Sequence, residues 1–140
     1  MTSADIIVIG AGASGLMAAA GAAQNGASVV VLEKMPRPGR KIMITGKGRC
    51  NFTNLKQWNE FSGHIHPKPN FLKPSFYNLT SEKMIDFLES HGMETVVERG
   101  DRAFPASHLS SEVVDTLVKA AQEAGAGLIC NKEVSEILKN

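Results

Sequence analysis

Three glycines and one acid are the residues in this chain whose types and spacing suit chemistry. Gly10, Gly12 and Gly15 stand in the run Gly10-Ala11-Gly12-Ala13-Ser14-Gly15, and Glu33 follows Gly15 by 18 residues. Gly10 permits a tight turn, Gly12 lets a pyrophosphate approach bare backbone, and Gly15 lets a helix pack close to its strand. Ala13 and Ser14 open a helix whose first N–H groups lack partners and whose dipole is positive at that end, which suits a phosphate. The hydroxyl of Ser14 adds a further donor. The carboxylate of Glu33 suits ribose hydroxyls and repels a 2′-phosphate, so FAD or NAD is expected here rather than NADP.

The elements that must hold this set are legible around it. Ile6-Ile7-Val8-Ile9 precedes the glycines and Val29-Val30-Val31-Leu32 precedes the acid. Residues 5–9 read as a strand, 14–25 as a helix and 28–33 as a second strand, the order a dinucleotide-binding turn requires. Ala19 and Ala23 continue the small face of Gly15 at helical spacing. A glycine-rich βα turn that binds nothing is the bland alternative. It would need the strand, the helix, all three glycines and the acid to coincide.

A simple crossover would bring a third strand soon after Glu33. Residues 34–109 intervene instead, too long for an ordinary loop, and read as an insertion with its own elements. Within it, 34–54 is a loop rich in glycine and cations, and 55–80 is irregular around Pro67, Pro69 and Pro74. Residues 81–91 read as a helix capped by Thr80 or Ser81, with Met84, Ile85 and Leu88 on one face and Gly92 as its stop. Glu94–Val97 and Arg102–Phe104 flank Arg99-Gly100-Asp101 as a short hairpin. A helix over 111–124 follows, with Ser110 as cap and Val114, Leu117, Val118 and Ala121 as its buried stripe. Leu128-Ile129-Cys130 is the expected third parallel strand, and Val134 to Leu138 the start of another. The cofactor-binding core is then 1–33 with 110–140.

Net charge is +1, which gives no reason to expect a nucleic-acid partner. No charge lies between Asp5 and Glu33, but five glycines interrupt that stretch and Gln24-Asn25-Gly26 marks a turn, so it is not a membrane span. It lacks the basic start of a signal peptide, and a cytoplasmic protein is expected. Cys50 and Cys130 form no CxxC pair, which argues against a disulfide framework or a dithiol centre. His64 and His66 have HxH spacing without an accompanying Cys or acid cluster, so no metal site is expected. Cys50 reads as a small buried residue of a tight loop. Trp58, Phe61, Phe71, Phe76 and Tyr77 read as packing for the insertion, and His108 has no assignable role.

The other chemical feature is the cationic loop. Lys34, Arg37, Arg40, Lys41, Lys47 and Arg49 fall in one acid-free stretch directly after Glu33. Cations there suit an anionic pyrophosphate. With the glycine turn, the run Gly39-Arg40-Lys41 through Gly46-Lys47-Gly48-Arg49-Cys50-Asn51-Phe52-Thr53-Asn54 closely resembles the bacterial HI0933-like flavoproteins. Arg102-Ala103-Phe104-Pro105 resembles a family stretch before the second helix. Lys47 stands where many members carry a glycine.

The resemblance implies an α/β Rossmann-like FAD/NAD(P)-binding fold: three layers around a parallel sheet, with an insertion between the second and third strands. It implies that Gly10 to Gly15, Glu33 and Lys34 hold the ADP half of FAD. Arg40, Lys41 and Arg49-Cys50-Asn51 would run along the pyrophosphate towards the flavin, and Val134 would meet the adenine through its backbone. Members of the family are much longer, so the chain resembles an N-terminal fragment, truncated before the segment that closes over the flavin and before the substrate domain. Uncovered apolar faces and association through the cut edge are the expected consequence. The implied reaction is hydride transfer between FAD and a small organic substrate, with NAD(P)H or O2 as second partner. An NAD-binding dehydrogenase domain and a non-catalytic dinucleotide-binding module are the other readings.

Overall fold

The computed structural model describes residues 3–139. The chain begins as strand β1 (Ile6–Ile9), helix α1 (Ala13–Gln24) and strand β2 (Val29–Leu32). The insertion holds helix α2 (Arg40–Ile44), strand β3 (Thr53–Asn54), and helices α3 (Trp58–Phe61), α4 (Lys73–Asn78) and α5 (Ser81–Ser90). The hairpin strands β4 (Thr95–Glu98) and β5 (Arg102–Pro105) follow, then helix α6 (Ser110–Glu123) and strand β6 (Gly127–Ile129).

Two sheets result. One is parallel in the order β1-β2-β6, with Val8 opposite Val31 and Val31 opposite Leu128. The other is antiparallel in the order β3-β5-β4 and lies wholly within the insertion. The crossover from β2 to β6 therefore encloses the whole second sheet.

Alternation along β2 decides which face of the parallel sheet is covered. Val29 and Val31 are buried in a core with Leu16, Ala19, Ala20 and Ala23 of α1 and Val113, Leu117 and Ala121 of α6. Small residues on α1 let it lie close to both the sheet and α6. The opposite face carries Ile7 and Ile9, which pair with Val30 and Leu32, and Ile129 beside Leu32. Ile7 is 59% exposed and Ile9 55%. Among the described residues helices cover one face of the parallel sheet, and its apolar second face lies open.

Several boundaries differ from the sequence reading for physical reasons. Ser110 does not cap α6: Leu109 is the cap residue, and the Ser110 hydroxyl donates to the carbonyl of Met43 at 2.9 Å, tying α6 to α2. Thr80 does cap α5, accepting from the amide of Lys83 at 3.3 Å. Residues 134–138 form no strand. Trp58, Phe61, Phe76 and Tyr77 pack ring against ring, whereas Phe71 stands 83% exposed.

Candidate functional site

The glycine turn is built by backbone geometry. Gly10 has φ +96°, a conformation that disfavours any side chain, and its amide donates to the carbonyl of Leu32 at 2.8 Å. A Cβ on Gly15 would lie 2.0 Å from the carbonyl oxygen of Gly10, so the helix meets the turn only because Gly15 has none. A Cβ on Gly12 would meet nothing within 4 Å. Gly12 therefore keeps open space at the head of α1, where no side chain caps the helix.

Glu33 has a role before any ligand arrives. One carboxylate oxygen accepts from the amide of Ala11 at 2.8 Å and the other from the amide of Met35 at 2.8 Å. The acid binds the middle of the glycine turn to the start of the cationic loop. A second tie, from the amide of Gly39 to the carbonyl of Ala11 at 2.8 Å, holds the loop again just before α2. Gly39 itself has φ +70°, and a Cβ there would fall 2.5 Å from Val114. The Gly39 contact sets the start of α2, which carries Arg40 and Lys41, against α6.

A cleft of 880 Å³ opens between these parts, large within the usual range of ligand pockets, roughly 300–1,000 Å³. Gly10, Gly12, Ala13, Ser14 and Glu33 form one wall; Lys34, Arg40 and Lys41 bring cations; Cys50, Asn51 and Phe52 form the far wall. Ten of the chain's 15 Lys and Arg residues, against two of its 14 acids, fall between residues 34 and 83. The small net charge thus hides a strongly cationic insertion beside the cleft. A second depression, lined by Glu89, Met93 and Glu94 among others, lies away from the glycine turn.

Cys50 and Asn51 reach the cleft through an unusual loop. Gly46, Lys47, Gly48 and Cys50 all have positive φ, between +54° and +85°. Lys47, at +58°, occupies a left-handed conformation that glycine adopts more readily than any residue with a side chain. Cys50 is buried, and burial pushes its thiol pKa up despite a hydrogen bond with Thr45. Asn51 donates its side-chain amide to the carbonyls of Thr53 and Ala103, at 2.8 and 2.9 Å, fixing the wall to β5.

Three of the expected site residues stand off the cleft. Gly15 lies behind the turn as a packing position. Val134 is half-buried in an irregular segment outside the lining. Arg49 turns away from the cleft, pairing with Glu98 and lying over the Phe104 ring. Sequence reasoning took Met84 and Leu117 as helix packing and passed over Val113; all three line the cleft. It passed over Glu98 and left His108 without a role, since no local pattern signals either. Among the described residues, no group of three or more His, Cys, Asp or Glu gathers as a metal site.

Residues 4–140, which hold the glycine turn, the acid and the cationic loop, match the HI0933-like protein Rossmann domain. This chain belongs to that family. It is 32% identical over 136 residues to the ribosomal RNA dihydrouridine synthase of Escherichia coli K12, covering 97% of this chain and 33% of that protein. It is 34% identical over 112 residues to the 3-dehydro-bile acid delta(4,6)-reductase of Clostridium scindens, covering 79% of this chain and 27% of that protein. The chain spans about a third or less of these relatives' length. The fold is also that of a 3-ketosteroid-delta4-(5alpha)-dehydrogenase from Rhodococcus jostii. There the TM-score is 0.65 at 15% identity, over 91% of this chain and 38% of that one. A flavocytochrome c3 fumarate reductase superposes with a TM-score of 0.63 at 24% identity, over 98% of this chain and 28% of that one.

Proposed function

We propose that the cleft holds the ADP half and pyrophosphate of FAD, and that the chain is the cofactor-binding part of a flavoprotein oxidoreductase. The observation that carries this reading is the vacant Cβ position of Gly12 at an uncapped helix head, inside a cleft that also takes in Glu33, Arg40 and Lys41. The donor set fits such a group: amides and cations for phosphate, a carboxylate for ribose. Both oxygens of Glu33 already hold one amide each, and each retains a lone pair for a ribose hydroxyl.

Bound flavin supplies hydride acceptance and donation, and the protein supplies binding, orientation and electrostatics. The α1 amides and the Lys34, Arg40 and Lys41 side chains bind and neutralise phosphate. Cys50, Asn51 and Phe52 extend the cleft beyond the ADP-binding turn, leaving room for the second half of a dinucleotide, and the resemblance of their loop to that of the HI0933-like flavoproteins favours FAD as the resident group. Relatives named for ribosomal RNA and for a bile acid share this part of the chain, so the reading assigns it the cofactor and leaves substrate choice to other segments. The reaction is hydride transfer to or from an organic substrate, with NAD(P)H or O2 as second partner. We propose a cytoplasmic location on the ground that Cys50 and Cys130 are both free, which suits a reducing compartment.

Titration with FAD, followed by absorbance and fluorescence, tests the reading, with NADH and Gly12→Val as controls. Saturable FAD binding that Gly12→Val weakens is the expected result. Saturable NADH binding with none for FAD would move the site to a nicotinamide dehydrogenase.

A further inference from the structure

The loop that supplies Cys50 and Asn51 to the cleft has an unusual support. Arg49 precedes them, yet its guanidinium faces the hairpin. Its Nη2 pairs with Glu98 at the end of β4 and lies 2.8 Å from Nδ1 of His108. Its carbon centre sits 4.4 Å from the ring centroid of Phe104 on β5. An arginine only donates, so Nδ1 of His108 accepts, which puts the ring proton on Nε2. His108 and Cys50 both have φ +56°, a region that non-glycine residues hold only when the surroundings impose it.

We propose that Glu98 and His108 clamp Arg49, and that this clamp sets the Cys50–Asn51 wall of the cleft. Arg49 is a positioning residue and not a ligand of the cofactor's phosphates. To reach the cleft it would give up an ion pair, a hydrogen bond and a cation–π contact together. A guanidinium fork and planar face suit this three-sided seat, and an ammonium does not. The loop is otherwise held from the same side, by Asn51 on the carbonyl of Ala103 and by the amide of Phe52 on that same oxygen at 3.1 Å. The hairpin thus acts as the mould for one wall of the site.

The inference rests on the cleft being the dinucleotide site, and two measurements keep the claims apart. The first is FAD affinity for Arg49→Met, Glu98→Gln and the double variant, at several salt concentrations. A clamp predicts a loss on the order of tenfold for Arg49→Met, a smaller one for Glu98→Gln, which keeps an acceptor, and a double variant no worse than Arg49→Met, since contacting residues of one unit do not add. It also predicts an unchanged salt dependence. A flattened salt dependence in Arg49→Met, or losses that add in the double variant, would make Arg49 a phosphate ligand and overturn the proposal. The second measurement needs no cofactor: the rate at which a thiol reagent labels Cys50 in a Cys130→Ser background. Faster labelling in Glu98→Gln and Arg49→Lys, at unchanged melting temperature, supports the clamp. An unchanged rate overturns it even if the chain binds no FAD.

Discussion

Replacing Glu33 by alanine should destabilise the ligand-free fold, because its carboxylate is part of the turn. The amide of Ala11, a residue with 0% exposure, gives its hydrogen bond to one Glu33 oxygen at 2.8 Å. Removing that acceptor orphans a buried donor and deletes a hydrogen bond to a charged group, together about 2–3 kcal/mol. The Met35 amide lies at a partly exposed position where water replaces the lost partner, so it adds little. At about 3–4 °C per kcal/mol for a chain of this size, the melting temperature should fall by about 6–12 °C. Glutamine keeps one acceptor but turns its NH2 towards the second amide, so Glu33→Gln should cost about half as much, ~1–1.5 kcal/mol. The assay is urea denaturation without ligand, with the m-value checked for constancy. An alanine variant within about 0.5 kcal/mol of the parent would refute the reasoning and leave Glu33 with a ligand-binding role alone.

Gly12 and Gly15 should separate binding from folding. Gly12→Val fills open space, so FAD affinity should fall at least tenfold while thermal stability stays close to the parent's. Gly15→Ala drives a methyl into the Gly10 carbonyl, so it should cost about 1–3 kcal/mol of stability, read by denaturant titration. Acid sensitivity should trace partly to Asp5, whose carboxyl pKa is lowered by the Ser28 hydroxyl and then the Ser28 amide. Its folded value lies below its unfolded one. The stabilisation is therefore present above the ordinary carboxyl range and is lost as pH falls through the lowered value. Asp5→Asn should flatten the acid limb of a stability-against-pH curve and leave the neutral region's slope unchanged.

What could be read from sequence was what neighbouring residues determine. The β1-turn-α1-β2 unit is local: apolar runs, glycine spacing and helical periodicity act over a few residues, and the structure keeps all of them. The hairpin and α6 were legible for the same reason, through Gly100 and the buried face of Val114, Leu117 and Ala121. The spacing of Glu33 from Gly15 marked its place at the end of β2, and so beside the turn.

Tertiary structure decided where side chains point once partners far along the chain compete for them. Arg49 belongs by sequence to the cationic loop, but Glu98, Phe104 and His108 turn it aside, and each lies about 50 or more residues away. Ser110 has the chemistry of a cap and gives its hydroxyl to Met43 instead, because α2 packs against α6. β3 is only two residues long and exists through its pairing with β5. Residue type and local spacing fix what a segment is able to do. Packing across the insertion fixes which of those groups face the cleft, because a charged side chain goes where its opposite charge already stands.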